Sequence, residues 1–102
     1  MKIILIYTPC RDPQAAQKIA ATLLQKKLIA CANFWTGESL FLEKTKIKKT
    51  RETYLLCKTQ VKNFQQAKKT IQQLHSYETP AILKIAAQAN QDFGKWLTKN
   101  LQ

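Results

Sequence analysis

Two glycines among 102 residues exclude a Gly-rich loop of the kind that cradles phosphates. One histidine excludes the two-histidine HExxH zinc motif, and no Ser-His-Asp logic is visible around it. Six acidic residues, scattered along the chain, offer no paired-carboxylate acid and base. The three cysteines, Cys10, Cys31 and Cys57, are separated by 20 and 25 residues, so they form neither a CxxC pair nor an even-numbered disulfide framework. Free thiols in a reducing compartment fit that spacing. No apolar run approaches the ~20 residues of a bilayer span, and Met1 to Tyr7 is too short for a signal-peptide h-region. The expectation from these shortages is a cytoplasmic protein that spans no membrane and is not an enzyme.

What is abundant is positive charge. Seventeen Lys and Arg give a formal net charge of +11. Such a balance suits a polyanionic partner, and equally a solvated, self-repelling surface that keeps the chain soluble. Hydrophobic residues at 45% rule out a disordered basic tail, and a chain of this length buries roughly two-thirds of its unfolded surface, enough for one core. One domain over residues 1–102 is expected.

Ile3-Ile4-Leu5-Ile6-Tyr7 is β-favouring without polar alternation, a strand covered on both faces and ended by Thr8-Pro9. Asp12-Pro13 supplies an N-cap and a first-turn proline. Ala16, Ile19, Ala20, Leu23, Leu24 and Leu28 then repeat at helical spacing to about Leu28. Ile29 to Trp35 reads as a second strand, interrupted at Gly37 and resumed over Ser39 to Leu42. Lys44 to Arg51 holds five basic residues in eight and is expected at the solvated tip of a long hairpin. Thr53 to Thr59 is the third strand. From Thr59 as N-cap, Val61, Phe64, Ala67, Ile71 and Leu74 mark a second helix to about His75. Ala81 to Ala86 is a fourth strand after Pro80, and Asn90 caps a last helix carrying Phe93, Trp96, Leu97 and Leu101.

The order β-α-β-β-α-β plus one helix is the ferredoxin-like arrangement, an α+β antiparallel sheet. Two helices cover one face of such a sheet. The other face would leave Ile, Leu and Tyr side chains in water, so self-association through it is expected.

Leu28-Ile29-Ala30-Cys31-Ala32-Asn33, Gly37, Glu52-Thr53-Tyr54-Leu55-Leu56-Cys57-Lys58-Thr59, His75-Ser76-Tyr77-Glu78-Thr79-Pro80-Ala81-Ile82 and the Phe93 to Leu97 stretch stand in one order. In that order they resemble the CutA, or divalent-cation tolerance, family over nearly the whole chain. The resemblance implies a ferredoxin-like subunit in a homotrimer with sheets packed inward, like the PII signalling proteins, and a loose association with copper and other divalent metals. Departures are visible. Tyr7 stands where a family ligand Cys is proposed, Leu74-His75 replaces a His pair, Pro80-Ala81 replaces Pro-Glu, and the hairpin tip is basic where relatives are acidic.

Under that resemblance a metal site, for Cu2+ or another divalent cation, would use His75 with Cys31, Cys57 or Glu78, or a group from a neighbouring subunit. The plainer reading puts His75 at a helix C-terminus, where a donor side chain meets free carbonyls. Cys31 and Cys57 also read as core residues. Cys10, ahead of the first helix, reads as an exposed surface thiol. Asn33, Trp35, Lys58, Thr59, Tyr77, Thr79, Pro80 and Trp96 are candidates for a ligand groove, with Glu78 beside Lys58 as its polar centre. Their structural alternative is a turn fixed by Tyr77 and Pro80 and a last helix packed by Trp96. Two other functions stay open. One is a PII-like small-molecule sensor in which Lys58 and the hairpin lysines hold an anion. The other is an RNA-binding domain of this fold, disfavoured because Tyr54-Leu55-Leu56-Cys57-Lys58 lacks the aromatic pattern of RNA-reading strands.

Overall fold

The computed structural model describes all 102 residues. In chain order the elements are β1 (Lys2–Cys10), α1 (Pro13–Gln25), β2 (Cys31–Glu43), β3 (Lys46–Thr59), α2 (Phe64–Leu74), β4 (Leu83–Gln88) and α3 (Gln91–Lys99). A single 3-10 turn over Val61–Asn63 leads into α2. The four strands form one antiparallel sheet in the order β2-β3-β1-β4, which is the expected ferredoxin-like α+β fold.

Strand alternation divides the sheet into two faces. Ile4, Ile6, Leu55 and Cys57 point to the helices, where they meet Ile19 and Leu23 of α1 and Ala67 and Ile71 of α2 in one core. Each fully buried Ile or Leu there contributes about 1.5–3 kcal/mol relative to exposure. Leu5, Tyr7, Tyr54, Leu56, Trp35, Leu83 and Ile85 lie on the opposite face by the same alternation. That face is only partly covered: Trp35, Leu83 and Ile85 are 49%, 50% and 41% exposed.

Local chemistry sets the element ends. The Asp12 carboxylate accepts from Ala15 N at 2.8 Å and caps α1, with Pro13 at its first position. The helix stops at Gln25, short of the expected Leu28. Lys27 turns left-handed (φ 57°), and Leu28 N donates back to Leu23 O at 2.9 Å in a Schellman closure. Leu28 is still buried, so its helical spacing reflected the core and not the helix.

Several other expectations are corrected. β1 runs on through Thr8 and Pro9 to Cys10, because Pro9 sits opposite Tyr54 in the ladder with β3. Cys10 is therefore fully buried at a strand end instead of exposed in a loop. β2 is unbroken at Gly37, which pairs with Glu52; a Cβ there would lie 2.8 Å from the Tyr54 ring, so glycine serves close packing. The basic stretch does form the exposed hairpin tip, but most of it is strand. Only Lys44 and Thr45 turn, with a positive φ at Lys44 alone, and Lys46 to Arg51 are already β3. Since β1 pairs β3 no further than Thr53, residues 37–43 and 46–52 project as a two-stranded ribbon beyond the sheet. Thr59 ends β3 and does not cap α2: it is buried, donates to Leu28 O at 2.7 Å and accepts from Asn63 Nδ2 at 3.4 Å. Asn90 stands at the N-cap of α3, but its side chain makes no capping bond.

Candidate functional site

The largest cavity, about 490 Å³, opens where β1 ends, the ribbon begins and the segment between α2 and β4 crosses over. Pro9, Phe41, Glu52, Tyr77 and Thr79 are among its walls, with Ser39, Thr50 and Ala81 completing them. Three separate stretches of sequence meet there because β1, β2 and β3 are neighbours in the sheet while the α2–β4 connection folds back across their ends.

His75 anchors that connection. It leaves α2 in an extended conformation while its N–H still donates to Ile71 O at 2.8 Å. Tyr77 N donates to His75 Nδ1 at 3.2 Å, so Nδ1 is an acceptor and the proton resides on Nε2, which donates to Pro9 O at 2.8 Å. The imidazole thus pins the loop to the end of β1 and packs against the Tyr77 ring, centroids 4.8 Å apart. Tyr77 in turn reaches across the cavity wall and donates its hydroxyl to Glu52 Oε2 at 2.5 Å. Burial, followed by the hydrogen bond to Glu52, pushes the Tyr77 phenol well above its ordinary range. It remains a protonated donor at any physiological pH.

Behind the cavity lies an aromatic layer. Tyr54 stands between Tyr7 and Trp35, with centroids 6.3 and 5.9 Å away, and its hydroxyl bonds Ser39 Oγ at 2.7 Å. Burial raises the Tyr7 phenol, with Tyr54 and Glu52 adding to the shift. The cavity therefore offers one carboxylate and several hydroxyls in a mainly apolar frame. No Lys or Arg lines it. That chemistry suits a neutral or cationic polar ligand better than an anion.

Of the residues singled out from the sequence, Tyr77 and Thr79 line this cavity. Asn33, Trp35 and Lys58 lie on the open sheet face, where Lys58 Nζ donates to Asn33 Oδ1. Thr59 is buried and committed to Leu28 and Asn63, so it cannot face a groove. Pro80 sits in the crossing segment outside the lining, and Trp96 stacks on Phe93 within α3, centroids 5.6 Å apart. Glu78 and Lys58 form no ion pair; the salt bridges are Arg11 with Asp12 and Lys49 with Glu38.

The proposed metal set does not converge either. Cys31 pairs with Lys58 at one end of β3, His75 is tied to Pro9, which pairs with Tyr54 four residues further along that strand, and Glu78 is exposed on its loop. No group of three His, Cys, Asp or Glu side chains is placed to hold a metal ion. Both nitrogens of His75 are already engaged, so these residues of one chain do not fit a resident copper or other divalent cation. Burial raises the Cys10 thiol to about 11 and the Cys57 thiol to about 12, so both stay neutral and inert near pH 7.

Glu52, Pro9, Ser39, Phe41 and Thr50 were missed as site residues. Glu52 belonged to a stretch read as strand, and its alternation with buried Thr53 was the one signal that it faces away from the core. Nothing in the sequence announced that Tyr77 would close onto it.

Residues 4–100 match the family model described as CutA1 divalent ion tolerance protein. The chain is 32% identical over 102 residues to the divalent-cation tolerance protein CutA of Thermococcus kodakarensis, covering 99% of this chain and 98% of that one. Among solved structures it is similar to CutA of Archaeoglobus fulgidus, with TM-score 0.94 and 30% identity over 98% and 99% of the two chains. CutA1 of Pyrococcus horikoshii gives TM-score 0.92 and 33% identity over 97% and 98%. The fold, the ribbon and the full-length match agree, and the chain belongs to the CutA1 divalent ion tolerance family.

Proposed function

We propose that this protein serves divalent-cation tolerance of the CutA type as a cytoplasmic homotrimer, acting as a binding or signalling module and not as a catalyst. The observation that carries the assembly is the open sheet face. Trp35, Leu83 and Ile85 on the sheet and Phe41 on the same side of the ribbon are each more than two-fifths exposed, an apolar extent that a single subunit leaves in water. Packing of that face and of the ribbon's same side against two further copies removes it. The tolerance role is supported by the names of the full-length relatives. Copper or another divalent cation is read as the stress to which the protein responds, since His75, Cys31 and Glu78 do not converge on an ion.

Light scattering tests the assembly: three chains of 11.7 kDa give about 35 kDa, whereas a mass of one chain sinks the trimer. Replacing Leu83 and Ile85 by Glu should lower the mass to that of the monomer. Growth of cells with and without the gene on graded copper and zinc tests the role, and identical sensitivity refutes it. A PII-like sensor of a small molecule is the second reading, favoured by the Glu52–Tyr77 cavity. Thermal-shift screening of metals, nucleotides and amines separates the two, because only a true ligand raises the melting temperature progressively, with the logarithm of its concentration above Kd.

A further inference from the structure

The helix side of the sheet carries charge of one sign. α1, α2 and β4 contain no Asp or Glu, and the carboxylate at their border, Asp12, is taken up by Ala15 N and Arg11. In α1 the buried stripe Ala16, Ile19, Ala20 and Leu23 faces the core, which puts Lys18, Gln14 and Gln25 on the outward arc. In α2 Ala67 and Ile71 face the core, and Lys69, Gln66 and Gln73 turn outward, with exposed Lys62 in the turn ahead of them. Lys84 pairs with buried Ile6, so its side chain also stands on the helix side, and its Nζ lies 5.1 Å from the Phe64 ring centroid. Lys68 Nζ lies 5.8 Å from the same centroid. None of these lysines makes an ion pair, since the salt bridges are Arg11 with Asp12 and Lys49 with Glu38.

Two ammonium groups gathered at one ring with no paired carboxylate repel each other, and an anion placed between them removes that repulsion. We propose that this outward face of the helix layer docks on the phosphate backbone of a nucleic-acid duplex, with Lys68 and Lys84 holding phosphate beside Phe64 and Lys18, Lys62 and Lys69 meeting further phosphates. The 13 residues of α1 span about 20 Å, a length over which a duplex presents about a dozen phosphate charges. The neutral positions choose this partner over other anions. Gln14, Gln25, Gln66 and Gln73 offer amides of the kind that bond phosphate and sugar oxygens. A bilayer contact needs insertable side chains, and the outward arcs of α1 and α2 carry none; of the exposed aliphatics, Leu24 turns to Phe34 at the β2 edge and Val61 stands alone. An acidic protein partner would favour Arg and aromatic anchors over Lys, and the face exposes neither. A single strand needs rings on which bases stack, again absent, so the backbone of a duplex is held without readout of its bases. This face lies opposite the open sheet face, and docking on it does not depend on the number of copies assembled.

Fluorescence anisotropy of a labelled DNA duplex of mixed sequence, titrated with the full chain at several salt concentrations, tests it. Affinity is expected to fall steeply as salt rises. Lys18→Gln, Lys69→Gln and Lys84→Gln together should reduce the slope of log affinity against log salt by about three units, one for each lost phosphate contact, while leaving the circular dichroism spectrum and the light-scattering mass unchanged. Lys44→Gln, Lys49→Gln and Arg51→Gln together remove the same charge from the ribbon and should leave that slope as it is in the wild type. No duplex binding by the wild type overturns the proposal. Equal losses in the two variants overturn it too, because net charge alone then accounts for the binding. So does tighter binding to single-stranded DNA or to phosphatidylglycerol vesicles at the same salt, or a helix-face variant whose mass falls, which makes the helices an interface between copies.

Discussion

One substitution, Thr to Val, should act with opposite sign at two buried positions of the same sheet. Thr8 of β1 and Thr59 of β3 are both fully buried on the helix side. The Thr59 hydroxyl donates to Leu28 O at 2.7 Å and accepts from Asn63 Nδ2, and Leu28 is itself buried. Thr59→Val leaves that carbonyl and that amide without their partner, at about 1–3 kcal/mol. Thr8 Oγ1 has no protein group within hydrogen-bonding reach. Thr8→Val exchanges an unpaired hydroxyl for a methyl of nearly the same volume in a β-branched residue that the strand favours equally. Removing its desolvation should stabilise the fold by about 1 kcal/mol or more. For a domain of about this size 1 kcal/mol corresponds to roughly 4–8 °C in Tm. Thermal unfolding at one fixed protein concentration separates the two variants from wild type in opposite directions. The concentration must be held because assembly shifts Tm by mass action. A lower Tm for Thr8→Val would refute the reasoning, since it would mean that the hydroxyl has a bonded partner such as an internal water.

Gly37→Ala should destabilise by about 1–3 kcal/mol in denaturant titration, because the new Cβ meets a Tyr54 ring that Tyr7, Trp35 and Ser39 hold in place; an unchanged midpoint means that the ring can move. Lys27→Gly should raise stability by several tenths of a kcal/mol to about 1, since Lys27 occupies the left-handed cap of α1 that glycine fills without strain, and a lower midpoint refutes that cost. Tyr77→Phe should cost about 1–2 kcal/mol and speed hydrogen exchange in residues 75–81, by removing the bond to Glu52; unchanged exchange there means that His75 alone holds the segment. The Cys10 and Cys57 thiols are raised by burial from 9.0 to about 11 and about 12. The folded state therefore favours their neutral form, so that stability is fully present below pH 9 and falls as pH rises from there toward 12. Ellman's reagent on native protein near pH 8 should find both unreactive, and prompt labelling of either contradicts the burial.

What the sequence determined by itself was the element order and the inner faces of the elements. Ile4 and Ile6, Ile19 and Leu23, and Ala67 and Ile71 stand at strand and helix spacing, and that spacing has to be satisfied locally whatever the tertiary arrangement. The composition determined the absences in the same way, because two glycines and one histidine cannot build motifs that need more. The motif run from Leu28 to Leu97 carried the family for the same reason. What tertiary structure decided were the ends and the meetings. Leu28 looked helical because it is buried, yet a Schellman closure three residues earlier took it out of α1. Lys44 to Arg51 stood at a hairpin tip because like charges repel unless exposed, and there they are; what two-strand pairing with residues 38–43 decided is that most of the stretch is β3, with the charges exposed on both sides. The cavity is the clearest case. Glu52 and Tyr77 lie 25 residues apart and neither has a local pattern that points to the other; only the packing of the α2–β4 segment over β1, pinned by His75 on Pro9, brings them into hydrogen-bonding contact. Periodicity records which way a side chain faces, and long-range closure records what it finds there.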